Sequence, residues 1–280
     1  MKWDNIIKPA EIMTEEQAKA YMDSRETSSY QLLDVRLHEE YEEEHLPGAT
    51  LVPLNELMEG AGKLDPEKPT IVYCRSGGRS RAASQWLVEQ GFKEVYDISS
   101  NIVDWLGLKL EGEYDYDLNL IKKDVEFPDA FALAYAMEEG LQKFYLELEK
   151  SETDEKKRAV YKQLAGYEDL HKENLKKGFE VTQGGTFDVE SALNVHGDVI
   201  EGGDLNKKSP FAIVSQMKNI QDIYSLSLAI EAQSFDLYVR LANKADKEDS
   251  KALFLEMADE EKTHMNYVTE ELTKYLQEVA

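Results

Sequence analysis

Glu138, Glu168 and His171 recur at the same spacing as Glu231, Glu261 and His264. Each set is a Glu, a second Glu 30 residues on, and a His three beyond it; the second set is displaced from the first by 93 residues. Neighbours move with it: Ala136, Tyr145 and Ala165 return as Ala229, Tyr238 and Ala258. This is an internal duplication. It constrains the fold because the repeated groups are four carboxylates and two imidazoles on apolar helical stripes. Glu138 and Tyr145 lie seven apart on one helix face, close to Phe131, Tyr135, Leu141 and Leu148. Glu231 has Leu228, Ser234, Phe235 and Tyr238 around it. Glu168 and His171 share a face with Leu164 and Leu175, as Glu261 and His264 do with Met257 and Val268. Ionised carboxylates on such stripes are costly without a partner. A helical bundle that supplies one Glu from each of two helices and a Glu-x-x-His from each of the other two can hold two metal ions. The residues by themselves also fit a network of buried ion pairs or a wet bundle end.

The periodicity predicts four long helices, over 129–150, 154–178, 220–244 and 247–278, with Gly178 as the stop of the second. Pro128 suits a helical first turn, and Ser209-Pro210 opens another helical stretch. Residues 113–127 are acidic and rich in Tyr and Asp, and read as a linker. The domain boundaries are therefore 1–112, a linker at 113–127, and a bundle at 128–280. Within the bundle the helix pairs span 128–180 and 210–280, joined by a crossover at 181–209. The crossover contains Gly184-Gly185, His196 and Gly202-Gly203. Connections this long usually carry structure of their own, and 188–195 is a candidate short helix. His196 reads as a loop residue.

Residues 1–112 read differently. Short apolar runs at 31–35, 50–52, 70–74 and 94–98 are candidate buried strands, and 14–22 and 80–90 candidate helices, with Gly91 as a stop signal. The alternation predicts an α/β domain with a parallel sheet covered on both faces. Sites in such sheets form beyond the C-terminal strand ends, which is where Cys74 falls. It opens the loop Cys74-Arg75-Ser76-Gly77-Gly78-Arg79-Ser80. Two glycines let the backbone curl so that successive N–H groups converge, and the following helix adds its positive end. With Arg75, Arg79 and Arg81 nearby, these features favour a thiolate, or an anion held on the sulfur. The bland alternative is a buried Cys that ends a strand.

Composition narrows the function classes. Cys74 is the one cysteine of 280 residues, so an intrachain disulfide and a four-Cys metal site are both impossible. Net charge is −24, and both parts of the chain are acidic, which argues against nucleic acid and anionic membrane partners. No apolar run approaches the ~18 residues of a membrane span, and the first residues lack a signal-peptide pattern. A cytoplasmic protein is expected.

The N-terminal segment, about residues 5–110, resembles the rhodanese family of sulfurtransferases. The loop from Cys74 to Ser80 matches that family's active-site loop. Leu33-Asp34-Val35-Arg36, Glu40-Tyr41 and His45-Leu46-Pro47-Gly48-Ala49 match its upstream signature, and Trp86, Gly91-Phe92 and Val95-Tyr96 its downstream pattern. The resemblance implies that Cys74 attacks a sulfane-sulfur donor and carries a persulfide, which a thiol, cyanide or protein acceptor then takes. Arg79 and the N–H groups of the loop, from Arg75, Ser76, Gly77, Gly78 and Ser80, would hold the anion, with Asp34 and Arg36 as braces. The stretch Ser99-Ser100-Asn101-Ile102 before Trp105 departs from the family's Gly-Gly-Ile. Phosphatases with a Cys-initiated loop space it as Cys-x5-Arg; the Cys-x4-Arg here suits a single sulfur better.

Residues 128–280 resemble the ferritin-like superfamily, and within it the rubrerythrin-like proteins, on the six repeated residues. The resemblance implies two iron ions, with manganese or zinc as alternatives. Glu168 and Glu261 would bridge, Glu138 and Glu231 would be terminal ligands, and His171 and His264 would give one nitrogen each. Tyr145 and Tyr238 would pack beside them, with a hydrogen bond to the ligands as the alternative role. Ser234 stands where that family often has a further Glu, and no four-Cys electron-transfer module is present, so a separate electron-donor protein is expected. A homodimer is also expected. The combined reading is a persulfide-carrying sulfurtransferase fused to a di-iron domain that reduces peroxide or oxygen. The alternative is a metal-binding or iron-handling protein with a non-catalytic sulfur-binding module.

Overall fold

The computed structural model describes residues 10–98, 108–114, 117–196, 214 and 217–279. The chain divides into two compact units, Met1–Tyr116 and Asp117–Ala280.

The first unit is a five-stranded parallel sheet in the order β1-β5-β4-β2-β3, formed by β1 (Glu11–Met13), β2 (Gln31–Asp34), β3 (Thr50–Leu51), β4 (Thr70–Tyr73) and β5 (Val95–Ile98). β1 was not legible beforehand: three residues, mostly exposed, leave no apolar run, and pairing with β5 defines the strand. The helices are α1 (Glu15–Asp23), α2 (His38–Glu43), α3 (Leu57–Gly60) and α4 (Gly78–Glu89). Thr14 caps α1 in a capping box with Gln17. Alternation along the strands splits the core in two. Leu32, Ile71, Tyr73 and Ile98 join Ala18 and Tyr41 on one face, while Leu33, Val72, Cys74 and Val95 join Ala83 and Leu87 on the other. The stretch from Ser99 to Ile102, and Trp105, lie outside the described residues.

The second unit is helical: α5 (Phe127–Ser151), α6 (Glu155–Gln183), α7 (Val189–His196), α8 (Ile220–Lys244) and α9 (Glu248–Val279). α5 lies along α6 and α8 along α9, with α5 also against α9 and α6 against α8. α5 starts with Pro near its first position, and Asp154 and Asn219 cap α6 and α8. Gly178 does not stop the second helix. α6 runs on to Gln183 and ends at Gly184, in the left-handed conformation with φ of 69°. A glycine inside a helix is tolerated at a cost of ~1 kcal/mol, and only a C′ position needs positive φ. The short crossover helix exists as α7 and packs on α5; Gly202-Gly203 and Ser209-Pro210 lie outside the described residues. None of the described helices is long and apolar enough to cross a membrane.

Two apolar clusters fill this unit. One contains Phe131, Met137, Leu175, Tyr238, Phe254 and Met257. The other contains Leu141, Tyr145, Leu164, Ile223, Ile230 and Val268. On every long helix the repeated Glu or His falls between residues of the first cluster and residues of the second. The six groups thus form one polar layer enclosed by two apolar ones.

Candidate functional site

The sulfur site is built by β4 and the start of α4. Strand alternation sends the Cys74 thiol, 1% exposed, toward Ala83 and Leu87. The chain then turns at Gly77, whose φ of 82° is a conformation a Cβ disfavours. That turn brings the Gly77 N–H to 3.1 Å from Sγ, and the Ser80 hydroxyl lies 3.6 Å from it. Burial pushes the thiol up. Hydrogen bonds from the Ser80 hydroxyl and from the N–H groups of Ser80, Ser76 and Gly77 more than offset this, so the thiol titrates below its ordinary value. The loop therefore favours a thiolate, and it does so largely with backbone dipoles.

The arginines divide. Arg75 and Arg81 are exposed. Arg79 turns to α2, where Glu40 accepts from Nη1 at 2.5 Å and from Nη2 at 2.7 Å. This bidentate pair holds the Glu40 carboxyl down at about 2. It also raises the Arg79 guanidinium, and the charge of Cys74 acts in the same direction, so Arg79 lies within electrostatic reach of the sulfur. Glu40 lies in the Glu40-Tyr41 motif, but its pairing with Arg79 has no local sequence signal, because the contact spans 39 residues. Below the loop, Arg36 donates to both oxygens of Asp34 at 2.7–3.0 Å and to the Glu44 carbonyl at 2.6 Å, a buried brace. Gly78 opens α4, and the Ser76 side chain is exposed.

In the helical unit, Glu138 (0% exposed), Glu168 (1%), His171 (7%), Glu231 (1%), Glu261 (0%) and His264 (8%) converge in the polar layer. Their donor atoms form three overlapping groups, each within 4.8 Å: Glu168 with His171 and His264, Glu138 with His171 and Glu261, and Glu231 with Glu261 and His264. His171 Nδ1 lies 3.1 Å from Glu138 and 3.9 Å from Glu168, and His264 Nδ1 lies 3.5 Å from Glu231. The two imidazoles stack at 4.0 Å. Burial pushes the Glu231 carboxyl up, but His264, Glu261 and His171 hold it below the ordinary carboxylate range. Four carboxylates exceed what two imidazoles can neutralise. Oxygen and imidazole nitrogen donors in a buried layer suit divalent iron, manganese or zinc, so the residues fit a pair of such ions.

The surroundings add detail. The Tyr238 hydroxyl reaches Glu138 at 3.5 Å, on the other helix pair, while Tyr145 is fully buried in the core. The Ser234 hydroxyl donates back to the Ile230 carbonyl at 3.1 Å. Glu260, beside Glu261, turns one oxygen into the protein with no hydrogen-bond donor among the described residues, and burial pushes its carboxyl up. Sequence reading passed over Glu260; the available signal was that its counterpart 93 residues earlier is Tyr167, a break in the duplication. His196 ends α7 and joins none of the three donor groups.

Known families match both units. Residues 14–108 match the rhodanese-like domain and residues 222–280 match rubrerythrin. The chain is 45% identical over 74 residues to the thiosulfate sulfurtransferase GlpE of Coxiella burnetii, covering 26% of this chain and 69% of that protein. It is 40% identical over 100 residues to the rhodanese-like/PpiC domain-containing protein 12 of Arabidopsis thaliana, covering 34% of this chain and 32% of that protein. Among solved structures, a rhodanese with anions from E. coli is 32% identical, with 30% of this chain and 99% of that chain covered and a TM-score of 0.27.

Proposed function

Since this chain belongs to the rhodanese-like family through residues 14–108 and carries a rubrerythrin domain at residues 222–280, we propose that it is a sulfurtransferase working through a Cys74 persulfide, joined to a di-iron redox domain. The observation that carries the sulfur-transfer reading is the cradle around Sγ, with the Gly77 N–H at 3.1 Å and the thiol titrating low. The Cys74 thiolate attacks the outer sulfur of a sulfane donor such as thiosulfate, and the donor's S–S bond breaks with its electron pair leaving on sulfite. The anionic outer sulfur of the persulfide then takes the place of the thiolate beside the loop N–H groups. A thiol or protein acceptor attacks that sulfur and returns Cys74 as thiolate. Arg79, fixed by Glu40, adds positive charge beside the loop, and Asp34 with Arg36 keeps the strand end rigid.

In the helical domain, Glu138, Glu168, His171, Glu231, Glu261 and His264 would hold two iron ions. Glu261 and Glu168 would be the ligands shared by both ions, a reading supported by the presence of Glu261 in two donor groups and of Glu168 beside both imidazoles. Bound iron would supply one-electron redox at each ion, enough together to reduce a peroxide. The chain's own residues bury the site, and Tyr238 orients Glu138. Electrons would come from a separate donor protein, and a homodimer is the assembly we expect.

The test is turnover of thiosulfate with a thiol or cyanide, run beside iron analysis of protein purified without oxygen. Wild type should turn over thiosulfate and hold about two irons per chain, the number the six-ligand pattern accommodates. No turnover would sink the sulfur-transfer reading, and no iron would sink the redox one. A second reading, a non-catalytic sulfur-binding module beside an iron-handling domain, is favoured by the 1% exposure of Cys74. It predicts stable persulfide on Cys74 without turnover.

A further inference from the structure

The duplication that builds the polar layer is broken in three places that meet in space. Gln163 and Tyr167 on α6 stand where the second set has Glu256 and Glu260, and Tyr267 on α9 stands where the first set has Asn174. Gln163 donates from Nε2 to the Tyr167 hydroxyl at 3.1 Å and to the Tyr267 hydroxyl at 2.9 Å, one amide proton for each. The Tyr167 and Tyr267 rings pack edge to face with centroids 4.9 Å apart. Tyr167 in turn meets the His264 imidazole edge to face at 5.4 Å, and His264 stacks on His171 at 4.0 Å. The two contacts of Tyr167 have the geometry of packed aromatic pairs.

His171 and His264 are buried, whereas Tyr167 and Tyr267 are half-buried. Four rings in contact therefore run from two of the six candidate ligands to partly exposed side chains on α6 and α9. Tyr145 and Tyr238 differ: both are fully buried and belong to the apolar clusters. A buried redox site must receive its electrons through protein. Electron tunnelling weakens exponentially with each gap it crosses, and rings in contact keep those gaps narrow.

We propose that Tyr267 and Tyr167 are the route by which electrons enter the metal layer, delivered at His264. The inference rests on the reading of the six repeated residues as a di-iron site. A one-electron donor protein at the surface loses one electron, and one ferric ion in the layer gains it and becomes ferrous. A second transfer reduces the other ion. No bond forms or breaks, no proton moves, and the tyrosines end as they began. The rings carry the coupling, and the hydroxyls hold the two rings together through Gln163.

The test uses full-length protein loaded with ferrous iron, oxidised with ferricyanide, and then mixed without oxygen with the methyl viologen radical, a one-electron reductant. Bleaching of the ferric absorbance is followed in time. Tyr167→Leu and Tyr267→Leu should each lose most of the wild-type rate, while Tyr167→Phe and Tyr267→Phe, which keep the rings, should retain it. Leu variants as fast as wild type, or Phe variants as slow as the Leu ones, would overturn the proposal. A second measurement leaves both tyrosines intact. In a Cys74→Ser background, a ruthenium photoreductant is attached at Glu270→Cys, one turn beyond Tyr267, or at Lys177→Cys, its counterpart in the first set; both positions are exposed. A flash should reduce the iron faster from position 270, and equal rates would overturn the proposal even if the Leu variants did not fold. Iron analysis of the same samples separates the route from the reading beneath it. Protein without bound iron would sink both, whereas iron reduced equally well without the rings would sink the route alone.

Discussion

The two sites hold buried negative charge in opposite ways. At Cys74 the charge is met by neutral dipoles, the N–H groups of Ser76, Gly77 and Ser80 and one hydroxyl, all within six residues of the sulfur. In the helical unit it is met by side chains from four helices, with donors as far apart in sequence as Glu138 and His264. A contiguous loop forms its site as soon as its turn forms, and the groups that hydrogen-bond the sulfur are uncharged. The polar layer has four carboxylates against two imidazoles between two apolar clusters, so its formation works against folding until cations arrive. The first site should therefore be sensitive to backbone geometry and the second to charge count.

The largest effect that would sharpen this contrast is at Cys74. Cys74→Ser should reduce thiosulfate turnover by about a thousandfold or more, since a hydroxyl is not ionised by N–H dipoles at neutral pH, and should leave the metal content alone. A fall in bound iron in that variant would show that the two sites are not separable. Next in size is the charge count. Glu261→Gln should bind less iron than wild type, yet its metal-free form should melt several degrees higher, because removing one of four carboxylates relieves a repulsion worth about 1 kcal/mol or more. If the metal-free variant melted lower, the layer would be an ion-pair network that stabilises the fold without metal.

Backbone geometry comes third. Gly77→Ala should cost about 1–2 kcal/mol for a left-handed residue with a Cβ and move the N–H away from Sγ, lowering sulfur transfer about tenfold with iron binding unchanged. Unchanged turnover would break the claim that this turn makes the site. The smallest effect is the pH dependence of the Glu40–Arg79 pair. The Glu40 carboxyl is lowered from 4.5 to about 2 in the folded protein, so its contribution is fully present above pH 4.5 and is lost as pH falls toward 2. Denaturation curves over that window should be less steep in pH for Glu40→Gln than for wild type; equal slopes would mean the pair is solvent-screened and adds nothing.

Legibility in the sequence followed the same division. The loop from Cys74 to Ser80 and the duplicated Glu and His were visible because each signal is local: a strand end followed by Gly-Gly in one case, fixed helical spacing in the other. What stayed hidden were contacts between distant segments. Glu40 reaches Arg79 across 39 residues, and Tyr238 reaches Glu138 across 100. Glu260 was passed over because the eye follows the repeat, and Glu260 breaks it. Gly178 misled because a glycine inside a helix looks in sequence like one that ends it; only the φ of 69° at Gly184 distinguishes the two.

By itself, the sequence determined the parallel α/β unit, the helical unit, the Cys74 loop and the six convergent donors. Periodicity and short-range spacing are properties of the chain alone, and a strand or helix transmits them into space without further information. Tertiary structure decided which charge meets which. It turned Arg79 to Glu40 and brought Tyr238 across to Glu138. Those pairings depend on the relative placement of elements whose separation along the chain carries no angular information, and the packing of apolar faces fixes that placement.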